Sequence, residues 1–327
     1  GVICGVTPVT NPTSTVIFKS LICLKTRNPI IFGFHPNAQK CCVETAKIIV
    51  EAAVKAGAPA NCVQWIEHPS LDATTALMEH EGVACILATG GNAMVKAAYS
   101  CGKPALGVGA GNVPAYVEKT ANVAQAANDI LMSKAFDNGM VCASEQAAII
   151  DKEIYDEFVK DILKYGAYLC NAEEKAKLEA LMFKPNKDGV VTGVFPGVVG
   201  HPAWEIAEWA GFSVPKETPA LLVECNSVGP EEPMTREKLS PVLALIKSES
   251  TEDGFNKAEA MVEFNGLGHS ACIHTSDKKL ADDFGLRMKA CRIIWNSPTT
   301  FGGIGNIYNS FLPSMTLGCG SYGHNSV

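Results

Sequence analysis

The chain has no apolar run of eighteen or more residues, so no membrane-spanning helix is expected. It has no excess of basic charge either. Its 27 Lys and Arg against 34 Asp and Glu leave a net charge of −7, and no basic stripe suits it to nucleic acid. The first residues, Gly1-Val2-Ile3-Cys4-Gly5, lack the basic start and apolar core of a secretory signal and read as a strand entered at once. Metal-ligand spacing is also missing: thirteen cysteines form no CxxC pair and no Cys/His cluster, so no metal is expected. Thirteen is odd, which leaves at least one thiol unpaired and favours a reducing, cytosolic compartment. No internal repeat, low-complexity tract, Ser-His-Asp order or nucleophile elbow is visible. What remains is a 327-residue globular chain, 47% hydrophobic and 19% charged, long for one domain and suited to two.

Strands and helices alternate through the first third. Val2 to Val6, Ile30 to Phe34, Cys62 to Ile66, Val83 to Ala88 and Ala105 to Val108 read as strands that are apolar throughout. Ser14 to Thr26, Asn37 to Ala56, Leu71 to His80 and Asn92 to Ser100 read as the helices between them. This is the pattern of a doubly wound parallel α/β sheet. In such sheets ligands bind beyond the carboxyl ends of the strands. Those ends carry Thr7-Pro8-Val9-Thr10-Asn11, His35, Glu67-His68, Thr89-Gly90-Gly91 and Gly109-Ala110-Gly111, a gathering of small and polar residues that suits a nucleotide.

A second α/β unit follows. Val113 to Val117 leads into a helix from Val123 to Phe136. Helices are expected at Lys152 to Cys170, Ala172 to Phe183, Ala203 to Ala210, Glu252 to Phe264 and Asp277 to Ala290. Strands are expected at Ala147 to Ile150, Ala220 to Glu224, Val242 to Ile246, Ser270 to Thr275 and Arg292 to Asn296. The expected division is 1–112 as cofactor domain, 113–300 as catalytic domain, and 301–327 as a Gly-rich tail returning toward the cofactor domain or an oligomer interface.

Cys142 is the leading candidate for chemistry. The helix before it stops at Asn138-Gly139, residues suited to a C-cap, and a short strand follows it. It therefore sits on a tight, exposed connection near unpaired backbone N–H groups, a good place for a thiolate and for an oxyanion. Asn11, or Thr10 beside it, could donate to that oxyanion. Glu237 could bind a ribose hydroxyl. His269 follows Gly266-Leu267-Gly268 at a strand start, where its imidazole could emerge at a loop mouth.

Four stretches in order resemble the CoA-acylating branch of the aldehyde dehydrogenase superfamily: Thr7-Pro8-Val9-Thr10-Asn11-Pro12-Thr13, Phe34-His35-Pro36-Asn37-Ala38, Gly107 to Pro114, and Val141-Cys142-Ala143-Ser144-Glu145-Gln146. The resemblance covers essentially the whole chain. It implies a Rossmann-type cofactor domain with a second α/β catalytic domain, NAD as cofactor and CoA as co-substrate. It implies Cys142 as nucleophile, Asn11 at the oxyanion and His269 assisting thiol deprotonation. His35 stands where hydrolytic members carry a lysine for the adenosine ribose; Gly90 and Gly91 match the pyrophosphate turn. Glu237 matches the nicotinamide-ribose glutamate, although the usual phenylalanine two residues on is Leu239. Hydrolytic members also carry a water-activating glutamate where this chain has Val108. The implied reaction is therefore transfer of a short acyl group from acetaldehyde or propionaldehyde to CoA. A hydrolytic aldehyde dehydrogenase, or a mainly structural subunit of a filament or encapsulated assembly, are the alternatives. The resemblance further implies a segment preceding residue 1 and a cut-short end, a homo-oligomer, an alcohol dehydrogenase domain or a microcompartment shell as partner, and a cytoplasmic location.

Overall fold

The structure is a computed structural model that describes residues 1–187, 190–191 and 193–315. Gly1–Ala110 form one compact unit and Gly111–Pro313 another.

In the first unit, β1 (Val2–Val6), α1 (Pro12–Lys25), β2 (Ile30–Gly33), α2 (Gln39–Lys55), β3 (Val63–Trp65), α3 (Leu71–Glu79), β4 (Val83–Thr89), α4 (Asn92–Ser100) and β5 (Ala105–Val108) alternate without interruption. The five strands pair in parallel in the order β3-β2-β1-β4-β5. The order reverses at β1, the position where such sheets open a crevice for ligands. One apolar cluster holds Val16, Phe32, Phe34, Cys42 and Ala46; another holds Cys4, Met78, Ile86 and Ala98. Apolar burial on both sides is why these strands carry no inward–outward alternation.

The second unit contains β6 (Val113–Val117), α5 (Val123–Ala135), β7 (Glu145–Asp151), α6 (Tyr155–Lys164), β8 (Tyr168–Leu169), α7 (Ala172–Met182), α8 (Ala203–Ala210), β9 (Leu221–Cys225), β10 (Val242–Ser248), α9 (Thr251–Met261), β11 (Gly268–His274), α10 (Lys278–Arg287), β12 (Ala290–Trp295) and α11 (Thr299–Ile304). Seven strands form a second parallel sheet, ordered β12-β11-β6-β7-β10-β9-β8. Its middle is the most deeply buried part of the chain: every residue of β6, β7 and β11 is buried.

The parallel α/β class read from the alternation is what the structure has. Three local readings change. The helix expected over Lys152 to Cys170 stops at Lys164, because Gly166 takes φ +97° and the chain then pairs with β9 as the short strand β8. The helix expected to run to Phe264 ends at Met261 and widens into a π turn over Val262–Gly266. Asn112 Nδ2 donates to the Met261 carbonyl there at 2.9 Å. Finally, α11 occupies a stretch that reads as plain Gly-rich loop. The expected tail beyond Met315 lies outside the described residues.

Tight packing also decides which small residues are replaceable. Gly254 in α9 faces the ring of Tyr116, a wholly buried side chain whose hydroxyl donates to Asp151 at 2.8 Å. A methyl group on Gly254 would overlap that ring. Gly254→Ala should therefore destabilise the fold by about 1–3 kcal/mol, although alanine is the better helix former. Urea denaturation read by circular dichroism checks the sign; a gain in stability would show that Tyr116 can move.

Candidate functional site

The loop carrying Cys142 is shaped by backbone that few residues adopt. After α5, Phe136–Gly139 form a single tight turn in which Asp137 and Asn138 take φ +52° and +50°. Gly139 follows at φ +69°, and a Cβ on it would overlap the Ser240 carbonyl, so only glycine fits. Ser144 N–H then donates to Val141 O at 2.9 Å, and β7 begins at Glu145. Cys142 is held between these constraints, half-buried rather than exposed as its position in the sequence suggests.

That burial changes its chemistry. The thiol is pushed up to about 12, first by loss of water and then by the negative charge of Glu237. The N–H groups of Cys142 and Ala143 face the sulfur and, with the Arg292 charge, favour the thiolate. The same donors suit an oxyanion. The resting Cys142 is thus a neutral thiol beside groups ready to stabilise negative charge, and not the standing thiolate that an exposed loop would give.

Gly111 brings the other candidates to it. A Cβ on Gly111 would overlap the Cys142 carbonyl and lie 3.1 Å from His269 Cε1. Its own N–H donates to Glu237 Oε1 at 2.8 Å. Cys142, Glu237, His269 and Gly111 are therefore neighbours, although 158 positions separate the first from the last in sequence (269 − 111). Burial pushes the Glu237 carboxyl up to about 7, while the Gly111 N–H and the charges of Lys134 and Lys238 oppose the rise.

His269 does not emerge at a loop mouth. It is wholly buried at the start of β11, with Nδ1 3.1 Å from Ser270 Oγ and Nε2 without a partner. Burial, with a smaller push from the Arg292 charge, lowers the imidazole to about 3. It is neutral at any ordinary pH, free to exchange a hydrogen bond but poorly suited to storing a proton.

Two buried lysines complete the surroundings, and nothing in their neighbouring residues singles them out. Lys134, in the last turn of α5, looks like an ordinary partner for the helix dipole. Its Nζ instead reaches Ser144 Oγ at 3.2 Å and Gln146 Oε1 at 3.4 Å, and burial lowers it to about 7. Lys238 reads as a solvated neighbour of Glu237, yet it is fully buried and donates to the carbonyls of Gln146, Met234 and Arg236. Glu145 is likewise buried, accepting the Thr299 N–H at 2.9 Å.

The first unit holds the remaining candidates at the carboxyl edge of its sheet. Thr7 is buried after β1. Asn11 stands at the head of α1, where its carbonyl accepts from Thr15 Oγ1 at 2.7 Å and its side chain accepts from Thr10 Oγ1 at 3.1 Å. Pro8 lies between them, part-buried. His35 Nδ1 accepts the Asn37 N–H at 3.2 Å. Gly90 and Gly91 form the turn into α4, whose first turn no side chain caps, and a Cβ on Gly91 would meet open space. Thr89 Oγ1 is buried there without a partner. An uncapped helix start, an open glycine and an unpaired hydroxyl fit the pyrophosphate of a dinucleotide. The Gly-rich turn through Gly109 is tied to the same helix start, since Asn92 Oδ1 accepts the Ala110 N–H at 3.1 Å. Val108, the last residue of β5, is buried and carries no titratable group.

Among the described residues no cluster of His, Cys, Asp and Glu could hold a metal ion, and all twelve described cysteines are free. No described helix is long and apolar enough to cross a membrane.

A parallel α/β unit with an open glycine turn and a half-buried cysteine on a tight loop are the features that a cysteine-dependent dehydrogenase would need. The aldehyde dehydrogenase family model matches residues 1–177, and the chain belongs to that family. An acetylating aldehyde dehydrogenase from Geobacillus thermoglucosidasius superposes with a TM-score of 0.91 at 45% identity, over 98% of this chain and 69% of that one. Rhodopseudomonas palustris propionaldehyde dehydrogenase, solved with bound CoA and an acylated cysteine, gives 0.86 at 30% identity, over 98% and 70%. The aldehyde-alcohol dehydrogenase of Streptococcus pneumoniae is 67% identical over 330 residues, which make up all of this chain and 37% of that protein. The chain thus spans little more than a third of this curated relative. The resemblance to the acylating branch is borne out.

A thiol held near 12 makes a direct prediction. Alkylation of Cys142 by iodoacetamide should rise about tenfold per pH unit from pH 7 to 10, without the plateau an ordinary thiol reaches near 8.5. Peptide mass spectrometry separates it from the exposed Cys41 and Cys291. A plateau below pH 9 would mean that Glu237 and burial do not hold the proton on.

Proposed function

We propose that the chain is a CoA-dependent acylating aldehyde dehydrogenase, interconverting aldehyde + CoA + NAD⁺ and acyl-CoA + NADH, with acetaldehyde or propionaldehyde as substrate. The observation that carries this reading is the convergence of Cys142, Gly111, Glu237 and His269 in a chain with Val108 at the hydrolytic glutamate's position.

The chemistry follows from what each residue can do. Cys142 gives its proton to solvent as its sulfur bonds to the aldehyde carbon, and the carbonyl oxygen takes the negative charge. The new oxyanion is stabilised by the N–H groups facing the sulfur, with Asn11 assigned to the same oxygen by the motif match. Bound dinucleotide supplies the hydride acceptor. Glu237 would hold its nicotinamide ribose, and Gly90, Gly91, Gly109 and the start of α4 would hold its phosphates. His35, by the motif match, would meet the adenosine end. Loss of hydride leaves a thioester on Cys142. With no carboxylate at position 108 to activate water, that thioester outlasts water and yields to a thiol. His269 offers its unpaired Nε2 to the CoA thiol, orienting it; a neutral, deeply buried imidazole serves this at any pH from 5 to 9.

The division into a cofactor part, 1–112, and a catalytic part, 113–300, is part of the same reading. So are a cytoplasmic setting and assembly into a homo-oligomer. Fusion to an alcohol dehydrogenase domain accords with the name of the pneumococcal relative. A microcompartment setting accords with the source of a Clostridium phytofermentans propionaldehyde dehydrogenase of similar fold.

Two experiments test the reading. With aldehyde and NAD⁺ but no CoA, about one NADH per active subunit should appear in a burst, followed by a very slow phase that CoA relieves. Cys142→Ser should remove the burst while leaving nucleotide binding nearly intact. Free acid made without CoA at the CoA-supported rate would overturn the acylating assignment.

His269→Ala should slow CoA-dependent turnover about 10²-fold while changing the burst far less. The wild-type rate of acyl transfer should show no inflection near pH 6.5, because the folded imidazole protonates only near 3. Equal losses in burst and turnover would place His269 with the nucleophile loop instead of with the thiol.

A further inference from the structure

We propose that Gln146 is a positioning residue that couples the loop after Cys142 to the loop carrying Glu237, so that one buried amide, anchored beside Cys142, sets the grip on the cofactor ribose. The proposal rests on the reading of Glu237 as the ribose contact.

Gln146 is wholly buried, and both ends of its amide are in use. Nε2 donates to Ser144 O at 2.9 Å, which fixes the chain just after Cys142. Oε1 accepts the Lys238 N–H at 3.0 Å and faces Lys134 Nζ at 3.4 Å. The main-chain oxygen of Gln146 accepts Lys238 Nζ at 2.9 Å. The same ammonium group donates to Met234 O at 2.6 Å and Arg236 O at 2.9 Å, closing residues 234–238 into a clamp. Gln146 thus holds Ser144 on one side and the immediate neighbour of Glu237 on the other.

The side chain has to be an amide. One terminus must donate to a carbonyl and the other must accept from an N–H, and only one of the two amide orientations does both. Reversing it would set an NH₂ group against two donors and an oxygen against Ser144 O. A hydrocarbon of the same shape would leave Lys238 N–H and Ser144 O unpaired in a site closed to water. A carboxylate would lose the donor. Lys134 completes the arrangement: it donates to Ser144 Oγ as well as to Gln146 Oε1, so it braces both ends of the same three-residue stretch.

A residue that only filled space would lower stability and leave the kinetic constants alone. A coupler should act on the cofactor through Glu237. The test is steady-state kinetics and thermal melting of Gln146→Met, Gln146→Asn and Glu237→Gln, with the double variants of Glu237→Gln and each Gln146 change. Asparagine is one methylene too short to span from Ser144 to Lys238 but remains polar, so it removes the coupling with less risk to folding. Each folded Gln146 variant should raise the KM for NAD⁺ about tenfold, as for loss of one buried hydrogen bond, with kcat at saturation within about threefold of wild type. Each double variant should be no worse than Glu237→Gln alone. An unchanged KM for NAD⁺ in the Gln146 variants overturns the proposal, as do effects that multiply in the doubles. Failure of both Gln146 variants to fold also overturns it, because the amide would then be structural only. A KM for NAD⁺ unmoved by Glu237→Gln overturns the ribose reading itself, a result distinct from an unmoved KM in the Gln146 variants.

Discussion

The hydrogen bond from Gly111 N–H to Glu237, made where Gly111 also lies against the Cys142 carbonyl, is the contact on which the second unit's site depends. It needs a residue without a side chain, because any Cβ would occupy the space of the Cys142 backbone. It is strongest when the carboxyl is ionised, because a protonated one is a weaker acceptor. Around it the chain has arranged the backbone accordingly, with three successive left-handed residues before Cys142 and another at Leu239 beyond Glu237. Each such residue costs stability and persists because its surroundings over-determine it.

The charges near Cys142 are balanced against one another at close to neutral pH. Glu237 is raised to about 7 and Lys134 lowered to about 7, both mainly by burial. Folding thus holds both groups near the point where each can be charged or neutral, and each charge favours the other. Buried charges are tolerated only when paired or hydrogen-bonded, and here Lys238 donates to three main-chain carbonyls. A reactive thiol in this setting keeps its proton until a substrate is present, which limits stray oxidation.

The first unit solves a parallel problem with one lysine. Lys19 of α1 is almost fully buried and donates to Val6 O at 2.6 Å and Leu87 O at 2.7 Å, the carboxyl ends of adjacent strands β1 and β4. It bridges the sheet at the point where strand order reverses. Burial lowers it to about 7, so its contribution there is chiefly that of a donor tying two strand ends. Next to this edge the Gly90 N–H donates to Val108 O at 3.1 Å, while Gly91 faces open space and Thr89 Oγ1 is unpaired.

The sequence by itself determined the class of sheet, nearly all of the strands, the position of Cys142 and the four motifs that mark the family. Those features are local: apolar runs, turn residues and a short string around the nucleophile are legible without knowing what packs where. Only the tertiary structure decided what the chemistry is made of. It turned an expected thiolate into a neutral thiol, and moved His269 from a loop mouth to a buried strand start. It also assigned Lys134, Lys238 and Gln146 to the site, although nothing in their neighbouring residues distinguishes them from a helix-end lysine, a solvated lysine and a polar strand residue. The physical reason is that pKa, burial and hydrogen-bond partners depend on residues up to 158 positions away being brought together, as Gly111 and His269 are.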